Sequence, residues 1–517
     1  MPEKFLKKIN ERILPQWKVC FITCVIVGLF AHLYKIANWL PNWDSLVFRY
    51  DPQNMIGLGR WFLPVVCSFS SFYDLPFLNG IIAIIFHGLG AVCICKILSV
   101  QKKITAALIG AVVVTFPTVI SVMMYNYVAD GYSIAFFLST LAALCLTRKK
   151  VRYYVLGAFF ITLSTGIYQA YITVTITLVL LKLIDEVIYD NVRFRVILKK
   201  GFYALIAGIA GMVAYAGILT VLLNIFSADL LDYQGINSTV SLAGLDLHAS
   251  FYVVKETFVK CFFDLTDGVN VYVILNTFML VFTLVYYLKY VVKNMIYKKH
   301  VTAFVLLILG TMLVIGAGAL AFVNASVDYH NLMLMGYSSF YLFFLMLYER
   351  GEEENEVHTS IKCWTVLVVA ILLVANQVVI SNVSYHKAQM AYERSYGVLV
   401  RIADRIEELP DIEKCDRVLV IGALDNSHAY SVNLTPDITG ITDGYIIRAD
   451  DETVGQSVLC SALNDYCEKD YEFLSGEEKL NLMARDEVRA MEEWPSKTSI
   501  AIVDDIVVIK LSAEGEK

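Results

Sequence analysis

The chain has 517 residues, of which 57% are hydrophobic and 17% charged, with a formal net charge of −6 and a mean hydropathy of +0.61. A soluble protein of this size would be near one-quarter charged, so the composition excludes an ordinary soluble enzyme, and a net acidic chain is not expected to bind nucleic acid. Eleven cysteines are scattered, most of them inside apolar runs, with no C-x-x-C and no Cys/His cluster at metal spacing. Neither a metal nor another cofactor is therefore expected, and Cys460 can pair with Cys467 only if their region is extracellular.

In chain order, the basic stretch KKINERILPQWK leads into a first apolar run without an A-x-A site, so that span is expected to stay in place. Apolar runs predict about eleven transmembrane helices, near 17–37, 77–98, 104–124, 131–147, 153–166, 167–184, 202–224, 271–290, 301–323, 332–348 and 361–383. The basic loops QKK (101–103), RKKVR (148–152), RFRVILKK (193–200) and KNMIYKKH (293–300) all fall on one side with the N-terminus, which the positive-inside rule makes cytoplasmic. Basic loops flank both ends of 153–184, so that segment must go out and return, as a hairpin bent near Thr165-Gly166. The expected fold is an α-helical polytopic membrane protein, with residues 1–383 in the membrane part and 384–517 as a small extracytoplasmic α/β domain.

The first outer loop, NWDSLVFRYDPQNMIGLGRWF (42–62), concentrates charge: Asp44, Arg49, Asp51 and Arg60. An aromatic belt of Trp39, Trp43 and Trp61 with arginines on lipid phosphates is one reading. The other is chemical, because the positive-inside rule disfavours outer arginines and these two lie beside carboxylates. A guanidinium matches two phosphate oxygens, and a neighbouring carboxylate takes a proton from a hydroxyl. Arg49 and Arg60 are thus candidate donor-phosphate ligands, and Asp44 and Asp51 candidate general bases. The apolar stretch near 55–70, which contains Arg60, is interrupted by Gly57, Gly59 and Pro64 and suits a helix lying in the outer interface.

Further along, Asp130 in MMYNYVADGYSIAFF suits an N-cap to the next span and also a sugar contact at the outer membrane edge. The bend LSTGIYQAYITV places Tyr168 and Gln169 at the outer face, where a buried amide needs partners. The short loop NASVDYHN adds Asp328 and His330 as candidate substrate contacts.

The last third of the polypeptide changes character. Residues 384–517 carry 14 Lys/Arg against 27 Asp/Glu, a net −13, which leaves +7 on the membrane part. DRVLVIGAL reads as a buried strand, 454–468 and 476–493 as helices, and SIAIVDDIVVIKL as a β-hairpin turning at Asp504-Asp505.

Three elements carry a resemblance: the acidic first loop running into GLGRWFLPVV, the hairpin GIYQAYI, and the tract WPSKTSIAIVDDIVVIKL. With them the chain resembles the bacterial Gtr-type glucosyltransferases of the "glucosyl transferase type II" family, polytopic GT-C-like enzymes. That family often pairs two acids in the first loop, whereas here Asp44 is followed by Ser45, which leaves the choice between Asp44 and Asp51 open. The resemblance implies a polyprenyl-phosphate-linked sugar, typically glucose, as donor and a growing surface glycan or its lipid-linked precursor as acceptor. It also implies inverting transfer on the outer face of the bacterial plasma membrane, without a metal. A carrier of lipid-linked glycans and a surface-glycan polymerase are the alternatives. Against a carrier, which typically binds its cargo at the membrane midplane, the charges here gather at the outer edge.

Overall fold

The computed structural model describes residues 2–4, 11–47, 55–71, 73–189, 192–231, 246–263, 270–351, 357–424, 438 and 452–512. Arg49 and Asp51 lie outside them. The chain forms two compact units, one of Met1–Asn38, Pro52–Asn382 and Asn433–Thr439, the other of Trp39–Asp51, Val383–Val432 and Gly440–Lys517.

The first unit is helical. Proline at the start of Pro15–Ala37 and of Pro76–Ile97 stands where the missing N–H costs nothing. Among the described residues seven helices are long and apolar enough to cross a membrane, and eight if the pair Lys103–Thr115 and Pro117–Met124 counts once. Pro117 bends that pair by 45°. The eleven expected spans are not all of crossing length. Val151–Ile167 and Ile172–Ile188 have 17 residues each, about 26 Å at 1.5 Å per residue, and Ser338–Glu349 has 12.

Burial is uneven. The span Asn126–Leu146 has 67% of its apolar window buried, whereas Phe194–Phe226, Val271–Lys293 and His300–Ala317 have 22%, 33% and 28%. Leu205, Val213, Val221, Leu284 and Leu307 point outward from those three helices. Exposed apolar faces of this extent require an apolar solvent, and the protein is a membrane protein. On the buried side, a Cβ added to Gly110 would lie 2.3 Å from the Cys20 carbonyl oxygen, so Pro15–Ala37 and Lys103–Thr115 touch backbone to backbone. His32 Nε2 lies 2.8 Å from the Val114 carbonyl oxygen in the same seam.

Charges buried at the ends of these helices are paired. Arg350 donates to both Asp185 oxygens, at 3.0 and 2.7 Å, and to the Leu98 carbonyl at 3.2 Å, while Lys182 meets the same carboxylate at 3.1 Å. Glu349 beside it accepts from the Gln101 and Lys102 amides at 2.7 and 3.3 Å.

The second unit holds a four-stranded sheet in the order β2-β1-β4-β3, with β1 Arg417–Ile421, β2 Glu472–Phe473, β3 Ile500–Val503 and β4 Ile506–Lys510. β1 runs parallel to β2 and β4, and β3 and β4 form the antiparallel hairpin that the sequence predicts. Its turn residues Asp504 and Asp505 have φ of 52° and 58°, as a two-residue turn between twisted strands demands. The expected helix 454–468 is Glu452–Cys467, whose Val458, Leu459 and Leu463 join a core with Val418, Val420 and Val507. The expected helix 476–493 is broken into Gly476–Met483 and Asp486–Arg489. Cys460 and Cys467 are free thiols. Seven residues apart on one helix, they stand about 10 Å apart along its axis, too far to bridge.

Candidate active site

The segment expected as one interfacial helix near 55–70 is instead a turn, a short helix Leu63–Cys67 and a 3-10 turn Ser68–Ser70. Glycine sets this. Gly59 has φ +75°, and a Cβ on it would lie 2.6 Å from Tyr215 Oη and 2.8 Å from Gln169 Nε2, so only glycine fits the turn. Gly59 N donates to the Ile56 carbonyl at 2.9 Å and Arg60 N to that of Met55 at 2.7 Å.

Gln169 clamps that turn. Its Nε2 donates to the Leu58 carbonyl at 3.0 Å and to Tyr215 Oη at 3.2 Å, and Tyr215 in turn donates to the Gly59 carbonyl at 2.9 Å. The hairpin bends at Tyr168, which is extended (φ −154°, ψ 118°), two residues past the expected Thr165-Gly166. Gly166 lies within the helix; Trp61 packs where its side chain would be, and its carbonyl accepts from Phe62 N at 2.7 Å.

This scaffold presents Arg60. Its Nη1 donates to Tyr132 Oη at 3.2 Å, and its Cζ sits 5.1 Å above the Tyr168 ring. Tyr132 and Tyr168 stack at 4.5 Å with 17° between planes. A guanidinium laid on one aromatic face and hydrogen-bonded to a second ring's hydroxyl is fixed in orientation while its charge is retained, a good arrangement for holding a planar or tetrahedral oxyanion.

The other candidates distribute around it. Asp130 is 1% exposed in the first turn of Ala129–Leu146; its Oδ1 accepts from Gly131 N at 2.8 Å and Cys67 Sγ at 3.6 Å, and Oδ2 has no hydrogen-bond partner among the described residues. It sits one position inside the helix start, with Val128 in the cap position. His330 Nδ1 is buried and likewise without a hydrogen-bond partner there. Burial pushes the His330 imidazole down from the usual 6.5 to about 4, opposed by Asp328 and reinforced by the charges of Lys260 and Arg60, so it is neutral near pH 7. Asp328, its carboxylate 85% exposed, pairs with Lys260 at 3.6 Å. Asp44 belongs to the second unit, half-buried in the short helix Trp43–Val47, where Asn42 Oδ1 accepts from Ser45 N at 2.9 Å and Leu46 enters that unit's core.

Arg60, Tyr168 and Gln169 thus come together directly, His330 is within electrostatic reach of Arg60, and Asp130 joins through the helix Leu63–Cys67. The sequence reading missed Tyr132, Tyr215 and Lys260. It also missed a buried set beside the turn Asn126–Val128: Lys35, 1% exposed and near Asp74, whose Oδ1 accepts from Asn126 Nδ2, while Asn79 Nδ2 donates to the Asn126 carbonyl at 2.8 Å. A lysine near the C-terminal end of the first apolar run, on the side that the positive-inside reading takes as outer, was the available signal. For Lys260 it was the helical spacing of Phe251, Val254, Phe258 and Phe262 within an expected loop.

No curated protein and no solved structure matches the chain. Residues 33–343, which contain the whole arrangement around Arg60, match the family described as glucosyl transferase GtrII. With more than half of its length in that match and helices of membrane-crossing length, the chain belongs to the glucosyl transferase GtrII family of membrane glycosyltransferases.

Proposed function

We propose that the protein moves a sugar, glucose by the family's description, from a polyprenyl-phosphate donor to a surface glycan or its lipid-linked precursor. Transfer takes place on the outer face of the plasma membrane, with the N-terminus inside, the acidic C-terminal unit outside and the eleven apolar segments as the membrane part. The observation that carries this reading is the placement of Arg60: a cation locked by Tyr132 and Tyr168 on a turn that Gln169 and Tyr215 hold shut.

The acceptor hydroxyl attacks the anomeric carbon from the side opposite the phosphate, so configuration inverts. Its proton passes to a carboxylate, Asp44 or Asp51. The bond from the anomeric carbon to the phosphate oxygen breaks, its electron pair stays on that oxygen, and Arg60, with Arg49, neutralises the charge. Asp130, Tyr168, Gln169, Asp328 and His330 position sugar or acceptor. A general base is worth about 10² to 10⁴ in rate.

The test is purified protein with labelled polyprenyl-phosphate-glucose, scored for sugar on an acceptor. Asp44→Asn or Asp51→Asn should cut transfer to that extent at unchanged expression. Wild-type transfer in both variants would sink the base assignment, and lipid-linked sugar crossing a liposome without release would sink the enzymatic reading.

A further inference from the structure

Resting on that reading, we propose that the rings of Trp39, Tyr392, Tyr396 and Tyr466 form a subsite for one neutral pyranose of the acceptor glycan, on the compact unit that carries Asp44.

The four rings close on one another. Trp39 meets Tyr392 edge-on, with 6.4 Å between centroids, and Tyr466 at 5.9 Å. Tyr392 lies within 13° of parallel to Tyr396 at 6.3 Å, and Tyr396 meets Tyr466 edge-on at 5.9 Å. They come from three segments of the second unit: the loop before Trp43–Val47, the last turns of Val357–Glu407, and Glu452–Cys467. Trp39, Tyr392 and Tyr466 rest against the core that holds Leu46 and Leu399, whereas Tyr396 is 43% exposed. Beside it, Gly397 has no neighbour within 4 Å of where a Cβ would stand, and Val400 is exposed, so the ring set is open along that edge.

Buried polar groups next to the rings lack partners. Ser395 lies between Tyr392 and Leu399 at helical spacing and is 0% exposed, and its Oγ has no hydrogen-bond partner among the described residues. Neither has Ser45 Oγ nor Asn42 Nδ2, on the loop that continues from Trp39 and is fixed in the core by Leu46. Asn42 accepts from Ser45 N through Oδ1 and leaves its amide N–H groups over. Buried donors and acceptors are normally matched. Three unmatched ones, on one short loop and the helix that its tryptophan touches, call for a ligand rich in hydroxyls.

A pyranose meets both demands. One face of its ring is a row of C–H bonds, which settle on the negative face of an aromatic ring, while hydroxyls at its rim donate and accept. Tyrosine and tryptophan give such contact area at low entropic cost. Charge narrows the class further. Residues 384–517 carry a net −13, and near the rings in sequence Asp44, Glu393 and Asp465 outnumber Arg394. Phosphorylated sugars, uronic acids and anionic lipid headgroups are repelled by that field, and a neutral sugar is not. Trp39 opens the loop that carries Asp44, so an acceptor held on the rings shares one unit with that candidate base.

The experiment uses the full chain in detergent. Saturation-transfer NMR with the methyl pyranosides of glucose, galactose, rhamnose and N-acetylglucosamine should show transfer to the ring protons of at least one of them. Tyr396→Ala, at an exposed position, should remove that signal and raise acceptor KM about tenfold, the scale of one lost aromatic anchor, with donor KM nearly unchanged. Tyr396→Phe keeps the ring face and should keep both. Ser395→Ala separates a ligand contact from a structural hydroxyl. It should weaken the signal severalfold while the thermal midpoint stays or rises, because an unmatched buried hydroxyl contributes nothing to the fold. No signal from any of these pyranosides, or a full signal with unchanged acceptor KM in Tyr396→Ala, overturns the subsite. So does quenching by brominated phosphatidylcholine in nanodiscs that disappears in Trp39→Phe, which would put the rings among lipids. If the wild type transfers no sugar yet Tyr396→Ala abolishes the pyranoside signal, the transfer reading falls and the subsite stands. Transfer without any pyranoside signal has the reverse meaning.

Discussion

Tyr168 and Tyr132 stack face to face, ring centroids 4.5 Å apart, and Arg60 engages one by its ring and the other by its hydroxyl. Losing the Tyr168 ring removes the stack and the cation–π contact together, about 1–2 kcal/mol. Tyr168→Ala should therefore raise donor KM about tenfold, while Tyr168→Phe stays near wild type; a donor titration of the two variants separates them.

Gly59 offers the sharpest structural test of the turn beneath Arg60. Gly59→Ala puts a methyl into the Tyr215 hydroxyl and the Gln169 amide and forces a side chain to φ +75°. Strain of this kind costs about 1–3 kcal/mol. Thermal unfolding in detergent should show a lowered midpoint, and transfer should fall further than stability does.

Acidity should act on His330. Its imidazole titrates near 4 when folded against 6.5 when unfolded, so between those values the unfolded chain binds the extra proton. Stability is lost as pH falls from 6.5 toward 4, and the loss is absent above 6.5. His330→Gln should flatten that part of the stability–pH curve relative to wild type.

The Arg350–Asp185 pair predicts an asymmetry between single and double variants. Asp185 is 3% exposed, and removing its carboxylate leaves a guanidinium among helix ends, a change that costs about 3–5 kcal/mol. Asp185→Leu should lower the thermal midpoint strongly, and Asp185→Leu with Arg350→Leu should recover part of it.

In the second unit, Asp505 pays for its left-handed backbone, and Asp505→Gly should stabilise by about 1 kcal/mol. Asp504 should be kept, since it accepts from Arg485 at 2.7 Å.

Much of this was legible in the sequence wherever a local rule decided the outcome. The hairpin over 500–510 followed from two short continuous apolar runs around two aspartates, and Glu452–Cys467 from helical spacing. Arg60, Tyr168 and Gln169 stood out because charge or amide in an apolar setting needs a reason. What escaped depended on long-range packing. The contact of Gly166 with Trp61, over a hundred residues earlier, is one that no local pattern announces. Lys260 and Tyr215 acquire their positions only through contacts between distant helices. The number of crossing helices was blurred by Pro117 and by helices of 17 residues, where hydropathy alone does not tell a span from a half-span.

The approach of Gly110 to the Cys20 carbonyl bears on how the molecule can move. Two backbones in direct contact, with no side chain between them, cannot slide or roll without one colliding with the other. A side chain larger than hydrogen at position 110 would push Pro15–Ala37 and Lys103–Thr115 apart. Whatever opening admits a substrate between the helices is then expected at other seams.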